Sequence, residues 1–134
     1  MTTVDEGWVA TQILVVSDAD RAKDWWTEVL GAELVSEYGG TSVVLRFAEM
    51  WVLLVTGGDP TPDKPSVSMA APASRATVDH AITVRVPDCQ AAYERLRERG
   101  GEFLTPPHAS GRETRCFLRD PDGHLVELSE YRPG

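Results

Sequence analysis

Residues 81–101, AITVRVPDCQAAYERLRERGG, decide how this chain is read. Ala81 to Val86 is rich in β-branched residues and reads as a strand. Asp88 is a good helix N-cap. Cys89, Ala92, Tyr93 and Leu96 then fall on one helical stripe, and Gly100-Gly101 stops it. The same order of signals occurs earlier in the chain. Thr11 to Val16 is β-rich and Ser17-Asp18 supplies cap residues. In DADRAKDWWTEVLG, from Asp18 to Gly31, Ala22, Trp25, Trp26, Val29 and Leu30 recur at i, i+3, i+4, i+7 and i+8. Placing Val16-Ser17-Asp18 on Val86-Pro87-Asp88 also puts Ala22 on Ala92 and Trp26 on Leu96. After a one-residue slip, Gly31-Ala32-Glu33-Leu34 meets Gly100-Gly101-Glu102-Phe103. The chain contains an internal repeat.

Three β-like segments follow the first helix: Glu33 to Tyr38, Ser42 to Phe47 and Trp51 to Thr56. Gly57 to Val78 holds four prolines and no sustained period, so it reads as a connector. After the second helix come a short extended piece at Glu102–Leu104, a loop from Pro106-Pro107 to Gly111, and closing strands at Thr114–Arg119 and Leu125–Tyr131. Residues 1–7 read as a loose leader. The expected class is α+β: one domain over 1–134, built from βαβββ modules at 9–56 and 79–132 joined by 57–78. A lone βαβββ unit has one sheet face under its helix and the other bare. The modules are therefore expected to bring their bare faces together as a shared curved sheet and cleft, with the helices outside.

With 134 residues the chain can bury a real core. Its formal charge of −8 argues against a nucleic-acid partner, which would need lysines and arginines to neutralise phosphates. No apolar run approaches a membrane span, so no membrane partner is expected. Cys89 and Cys116 are isolated and no apolar segment opens the chain, which points to a reducing cytoplasm.

The stretch FLRDPDGHLVELSEY, from Phe117 to Tyr131, combines a tight turn at Asp120-Pro121-Asp122-Gly123 with an alternating strand. Val126, Leu128 and Glu130 share one face; Leu125, Glu127, Ser129 and Tyr131 share the other. Glu127 is open to two readings: a glutamate on a solvent-facing strand, or a carboxylate aimed into a cavity as base, metal ligand or ligand anchor. His124, in the turn, is expected at the surface.

Together these residues resemble the vicinal oxygen chelate superfamily, which includes glyoxalase I, extradiol dioxygenases, fosfomycin-resistance enzymes and bleomycin-resistance proteins. The resemblance rests on the repeated modules, SDADRAKDWWTEVLG, VPDCQAAYERLRERGGEFLTPP and FLRDPDGHLVELSEY, and spans Val9 to Arg132. It implies ligands for one divalent metal at Thr11, Leu53, Ala81 and Glu127. Only Glu127 is a good donor, whereas catalytic metal sites normally use three or more protein ligands. No metal or other cofactor is therefore expected. The alternative is a metal-dependent lyase, isomerase or dioxygenase using Glu127 with His80 or His108. His80 lies one residue before the ligand position, and a one-residue slip reverses the face, so it reads as a strand-end histidine beside Ile82. His108 lies in a loop that either covers the cleft mouth or sits at the surface.

Without a metal, the expected lining is Thr11, Ile13 and Val15 with Trp51, Leu53 and Val55 from the first module, and Ala81, Thr83 and Arg85 with Leu125, Glu127 and Ser129 from the second. This is mostly apolar with a few convergent polar groups, the usual make-up of a small-molecule site. Arg85 and Glu127 are expected to pair or to hold a polar ligand between them. Trp51 offers a stacking surface, and Arg115 and His108 are candidates at the entrance. Glu127 alone is a candidate catalytic base. The leading expectation is a metal-independent binder of a drug-like or secondary metabolite, acting as a homodimer, since the resemblance implies pairing of modules across subunits.

Overall fold

Each of the two βαβββ patterns forms its own sheet and helix. The computed structural model describes residues 2–133. In the first unit β1 (Thr11–Val16), α1 (Ala19–Glu28), β2 (Glu33–Tyr38), β3 (Ser42–Phe47) and β4 (Met50–Thr56) give a four-stranded sheet in the order β1-β4-β3-β2. In the second, β5 (Ala81–Arg85), α2 (Cys89–Glu98), β6 (Glu102–Phe103), β7 (His108–Ser110), β8 (Glu113–Arg119) and β9 (Leu125–Tyr131) give a five-stranded sheet. Its order is β5-β9-β8-β6, with β7 also on β8. In both units the first strand runs parallel to the last, Ile13 opposite Leu53 and Thr83 opposite Glu127. The architecture is α+β, as the repeat predicts.

The helices form where cap, stripe and stop coincide. Asp18 accepts from the Arg21 N–H and Asp88 from the Ala91 N–H, satisfying an otherwise orphaned donor at each helix start. Ala22, Trp26 and Val29 of the first stripe are buried, as are Cys89, Ala92, Tyr93 and Leu96 of the second. Alternation decides the sheet faces. Leu14, Val16, Val52 and Leu54 pack under α1, and Val126 and Leu128 lie in the same buried core as the α2 stripe. Trp26 anchors the first core, edge-on to Phe47 at 5.5 Å and to Trp25 at 5.7 Å.

The stretch expected to be loop between Pro106 and Gly111 contains a strand, β7. His108 pairs with Arg115 and Ser110 with Glu113, while Phe103 of β6 pairs with Leu118. The two pieces are one edge strand broken at Thr105-Pro106-Pro107, because proline has no N–H to give the ladder. The connector has no helix or long strand, yet it is tied down: Gly58 and Met69 exchange both backbone hydrogen bonds. Gly57 permits this approach, since a Cβ there would lie 2.0 Å from the Met69 carbonyl oxygen.

Several polar contacts between the units gather at the β8–β9 turn. Asp120 is 2% exposed and accepts from the backbone N–H groups of Asp122 and His124 and from the Trp26 indole N–H at 3.3 Å. The Ser17 N–H donates to Asp122, Arg21 donates to the Pro121 carbonyl, and Arg99 donates to the Val29 carbonyl. Burial pushes the Asp120 carboxyl above the usual aspartate range, an effect that His124 opposes. Asp120→Ala leaves buried donors unpaired in both units and should cost about 2–4 kcal/mol in urea unfolding.

The β3–β4 hairpin turns through Ala48 (φ 47°) and Glu49 (φ 67°), two side-chain-bearing residues in the left-handed region. Such turns favour Asn-Gly, and each misplaced residue costs about 1–2 kcal/mol. The double change Ala48→Asn with Glu49→Gly should raise the thermal midpoint and add about 1 kcal/mol or more of stability.

Candidate functional site

A cavity of about 660 Å³ lies between the first strand of unit one and the entry to unit two. Ile13 and Val15 of β1, Ala70 and Pro72 of the connector and Val78 give it an apolar wall. Gln12, Thr77, Asp79, His80 and His124 supply the polar groups. The expected lining therefore meets the observed one at Ile13 and Val15, with Ile13 45% exposed on the open face of the first sheet.

The other expected site residues lie in separate places. Thr11 is exposed at the start of β1, opposite Trp51. Trp51 and Leu53 are half-buried on β4, and the Arg46 guanidinium sits 4.9 Å from the Trp51 ring centroid. Thr83 and Arg85 line a smaller cavity of about 230 Å³ with Phe47 and Met50. His108 is exposed on β7, opposite Arg115 of β8, which is also exposed.

The expected Arg85–Glu127 pair does not form. Glu127, whose side chain is 12% exposed, accepts a hydrogen bond from the Thr83 hydroxyl at 2.8 Å and lies 3.9 Å from Arg115. Arg85 instead stacks over Tyr131, 5.4 Å from its ring centroid. The parallel pairing of β5 and β9 puts Thr83 directly opposite Glu127, so the nearer hydroxyl takes the carboxylate.

The four positions implied for a divalent ion do not fit one. Thr11, Leu53 and Ala81 bring a hydroxyl, an isobutyl and a methyl, and Glu127 is already engaged. Among the described residues, no group of three or more His, Cys, Asp or Glu side chains is placed to hold a metal, so Glu127, His80 and His108 do not form such a set. A nucleophilic role for the cysteines is equally unsupported. Both are buried, with their Sγ atoms 3.7 Å apart, and burial pushes the Cys116 thiol up to about 12 and raises Cys89.

His124 corrects the expectation of a solvent-exposed turn residue: it is 4% exposed. Its Nε2 bonds the Val15 carbonyl at 2.7 Å and its Nδ1 lies 3.3 Å from His80 Nε2. The turn is driven into the first unit by the Asp120 contacts, which carry His124 with it. His80 Nδ1 in turn bonds Asp79 at 2.8 Å, which holds the Asp79 carboxyl below the usual aspartate range. The sequence signal for this cluster is the Asp79-His80 doublet at the entry to β5.

Glu130 occupies the helix side of β9. It accepts from the Cys89 N–H at the start of α2 and from Arg132, and these bonds hold its carboxyl below the usual glutamate range. A depressed value supports folding above the unfolded glutamate range, and the support is lost as pH falls through the folded value. Glu130→Gln should therefore flatten the acid limb of a plot of urea midpoint against pH and lower stability at neutral pH.

The family model for the Glyoxalase/Bleomycin resistance protein/Dioxygenase superfamily matches residues 7–128. A glyoxalase/bleomycin resistance protein/dioxygenase from Nocardioides shares 25% identity at a TM-score of 0.75, over 98% of this chain and 88% of that one. TnmS3, an antibiotic binding protein from Streptomyces sp. CB03234, aligns at 24% identity and a TM-score of 0.68, covering 97% of this chain and 100% of its own. A lactoylglutathione lyase from Agrobacterium tumefaciens aligns at 18% identity and a TM-score of 0.71, covering 92% and 93%.

Proposed function

Since the chain belongs to the Glyoxalase/Bleomycin resistance protein/Dioxygenase superfamily, we propose that it is a small-molecule-binding protein that works without a metal at the superfamily's ligand positions and sequesters a drug-like or secondary metabolite. The observation that carries this reading is the cavity of about 660 Å³, whose size and largely apolar wall suit an organic ligand. The likeness to an antibiotic binding protein agrees with it. No helix among the described residues is long and apolar enough to cross a membrane. In this reading the protein acts in the cytoplasm as a single domain whose modules at 9–56 and 79–132 are joined by 57–78. It pairs as a homodimer, which would cover the open sheet faces where Ile13, Thr83 and Arg85 lie exposed.

A second reading, a metal-dependent lyase, isomerase or dioxygenase, is favoured by one observation: Glu127 is a nearly enclosed carboxylate on an otherwise suitable scaffold. The donor set at the other three positions weighs against it.

Tryptophan fluorescence of the tag-free protein, screened against aromatic antibiotics and glutathione adducts, tests the first reading. Saturable quenching is expected, weakened about tenfold or more by Ile13→Glu, which places a charge on the apolar wall. Stoichiometric metal in the purified protein that disappears in Glu127→Ala would overturn it in favour of the enzyme.

A further inference from the structure

His80 and His124 lie on the cavity wall, next to Ala81 and Leu125 at the paired starts of β5 and β9, and their hydrogen-bond partners fix their tautomers. The Val15 carbonyl can only accept, so His124 Nε2 carries the hydrogen in their 2.7 Å bond. The Asp79 carboxylate also only accepts here, so the hydrogen of the 2.8 Å bond resides on His80 Nδ1. In the neutral rings, the remaining nitrogens, His124 Nδ1 and His80 Nε2, both present lone pairs. These face each other at 3.3 Å, with the ring centroids 5.3 Å apart and the planes tilted by 45°. Two lone pairs repel at that distance unless a proton or a metal ion lies between them.

The distance suits a metal ion. A tetrahedral ion with bonds to nitrogen of about 2.0–2.1 Å holds two imidazole nitrogens about 3.3–3.4 Å apart. The outer partners match as well: ligating histidines commonly give their second N–H to a carboxylate or a backbone carbonyl, which fixes the ring and raises its basicity. Here both kinds are present, Asp79 behind His80 and Val15 behind His124.

We infer that His80 Nε2 and His124 Nδ1 form a two-imidazole site for a first-row divalent ion of the zinc class, with its remaining coordination positions open to the cavity. Water or a donor atom of a bound molecule completes the shell. Imidazole suits zinc, cobalt, nickel and copper rather than magnesium or calcium. The ligand reading above does not depend on this ion, and the two fail separately: ligand quenching measured in chelator tests the first, and metal titration without ligand tests the second.

Tag-free protein, stripped with chelator and dialysed, is titrated with Co(II). One equivalent per chain should bind, develop the visible absorption of nitrogen-ligated cobalt, and be displaced by Zn(II). His80→Gln should weaken binding at least about tenfold. Asp79→Asn should weaken it within the range of about 10–100-fold typical of an orienting partner. His80 is about one-third exposed, so its variant is expected to fold; circular dichroism verifies this, and the test stands on His80→Gln even where His124→Gln unfolds. Absence of saturable Co(II) binding, equal affinity in His80→Gln, or loss of the ion in Glu127→Gln would overturn the inference.

Discussion

The buried carboxylate of Asp120 is the constraint on which the arrangement of the two units depends. Removing a charge from water is costly unless its lone pairs are used, and each Asp120 oxygen is engaged. One oxygen closes its own turn through the Asp122 and His124 N–H groups, and the other takes the indole hydrogen of Trp26 across the unit boundary. Trp26 is fully buried beneath the first sheet, and a buried indole needs an acceptor. A local turn thereby adds a polar tie between two units whose apolar residues already share one buried cluster. The positions of Ser17, Arg21 and Val15 against the turn follow from that single placement.

That placement explains where the cavity is and what lines it. The turn that docks on the first unit delivers His124 beneath β1, while the connector, pinned at Gly58 and Met69, runs past Ile13 before entering β5 at His80. The open faces of the two sheets contribute unequally. The first offers Ile13 and Val15 to the cavity; the second keeps Thr83, Glu127 and Arg115 in a polar cluster of its own.

The helices and sheet phases are legible in the sequence because independent local signals agree. Asp18 and Asp88 cap, Trp26 and Leu96 occupy equivalent stripe positions, and alternation at Val126 and Leu128 assigns the buried face. The site is less legible because it is made of tertiary choices. A DPDGH turn reads the same whether it ends in water or against another unit, so the burial of His124 follows only from the docking of Asp120. Alternation puts Glu127 on the face opposite Val126 and Leu128, but leaves both its role and its partner open. Alternation places Arg85 and Thr83 on the same face, and only the register opposite Glu127 gives the carboxylate to the hydroxyl. The β7 strand was hidden by adjacent prolines, which break a ladder without ending the sheet.

The broken strand β6–β7 has a further effect on self-association. A sheet edge with an unbroken row of free N–H and C=O groups is a template on which other chains polymerise. Here the outer edge of the second sheet is interrupted at Pro106-Pro107, and that of the first carries a bulge between Leu34 and Ser36. On β1, the edge strand facing the unit boundary, the His124 ring already occupies the Val15 carbonyl. The molecule thus discourages fibre growth at these borders by a proline gap, an offset register and an imidazole, while its faces stay free for reversible contacts.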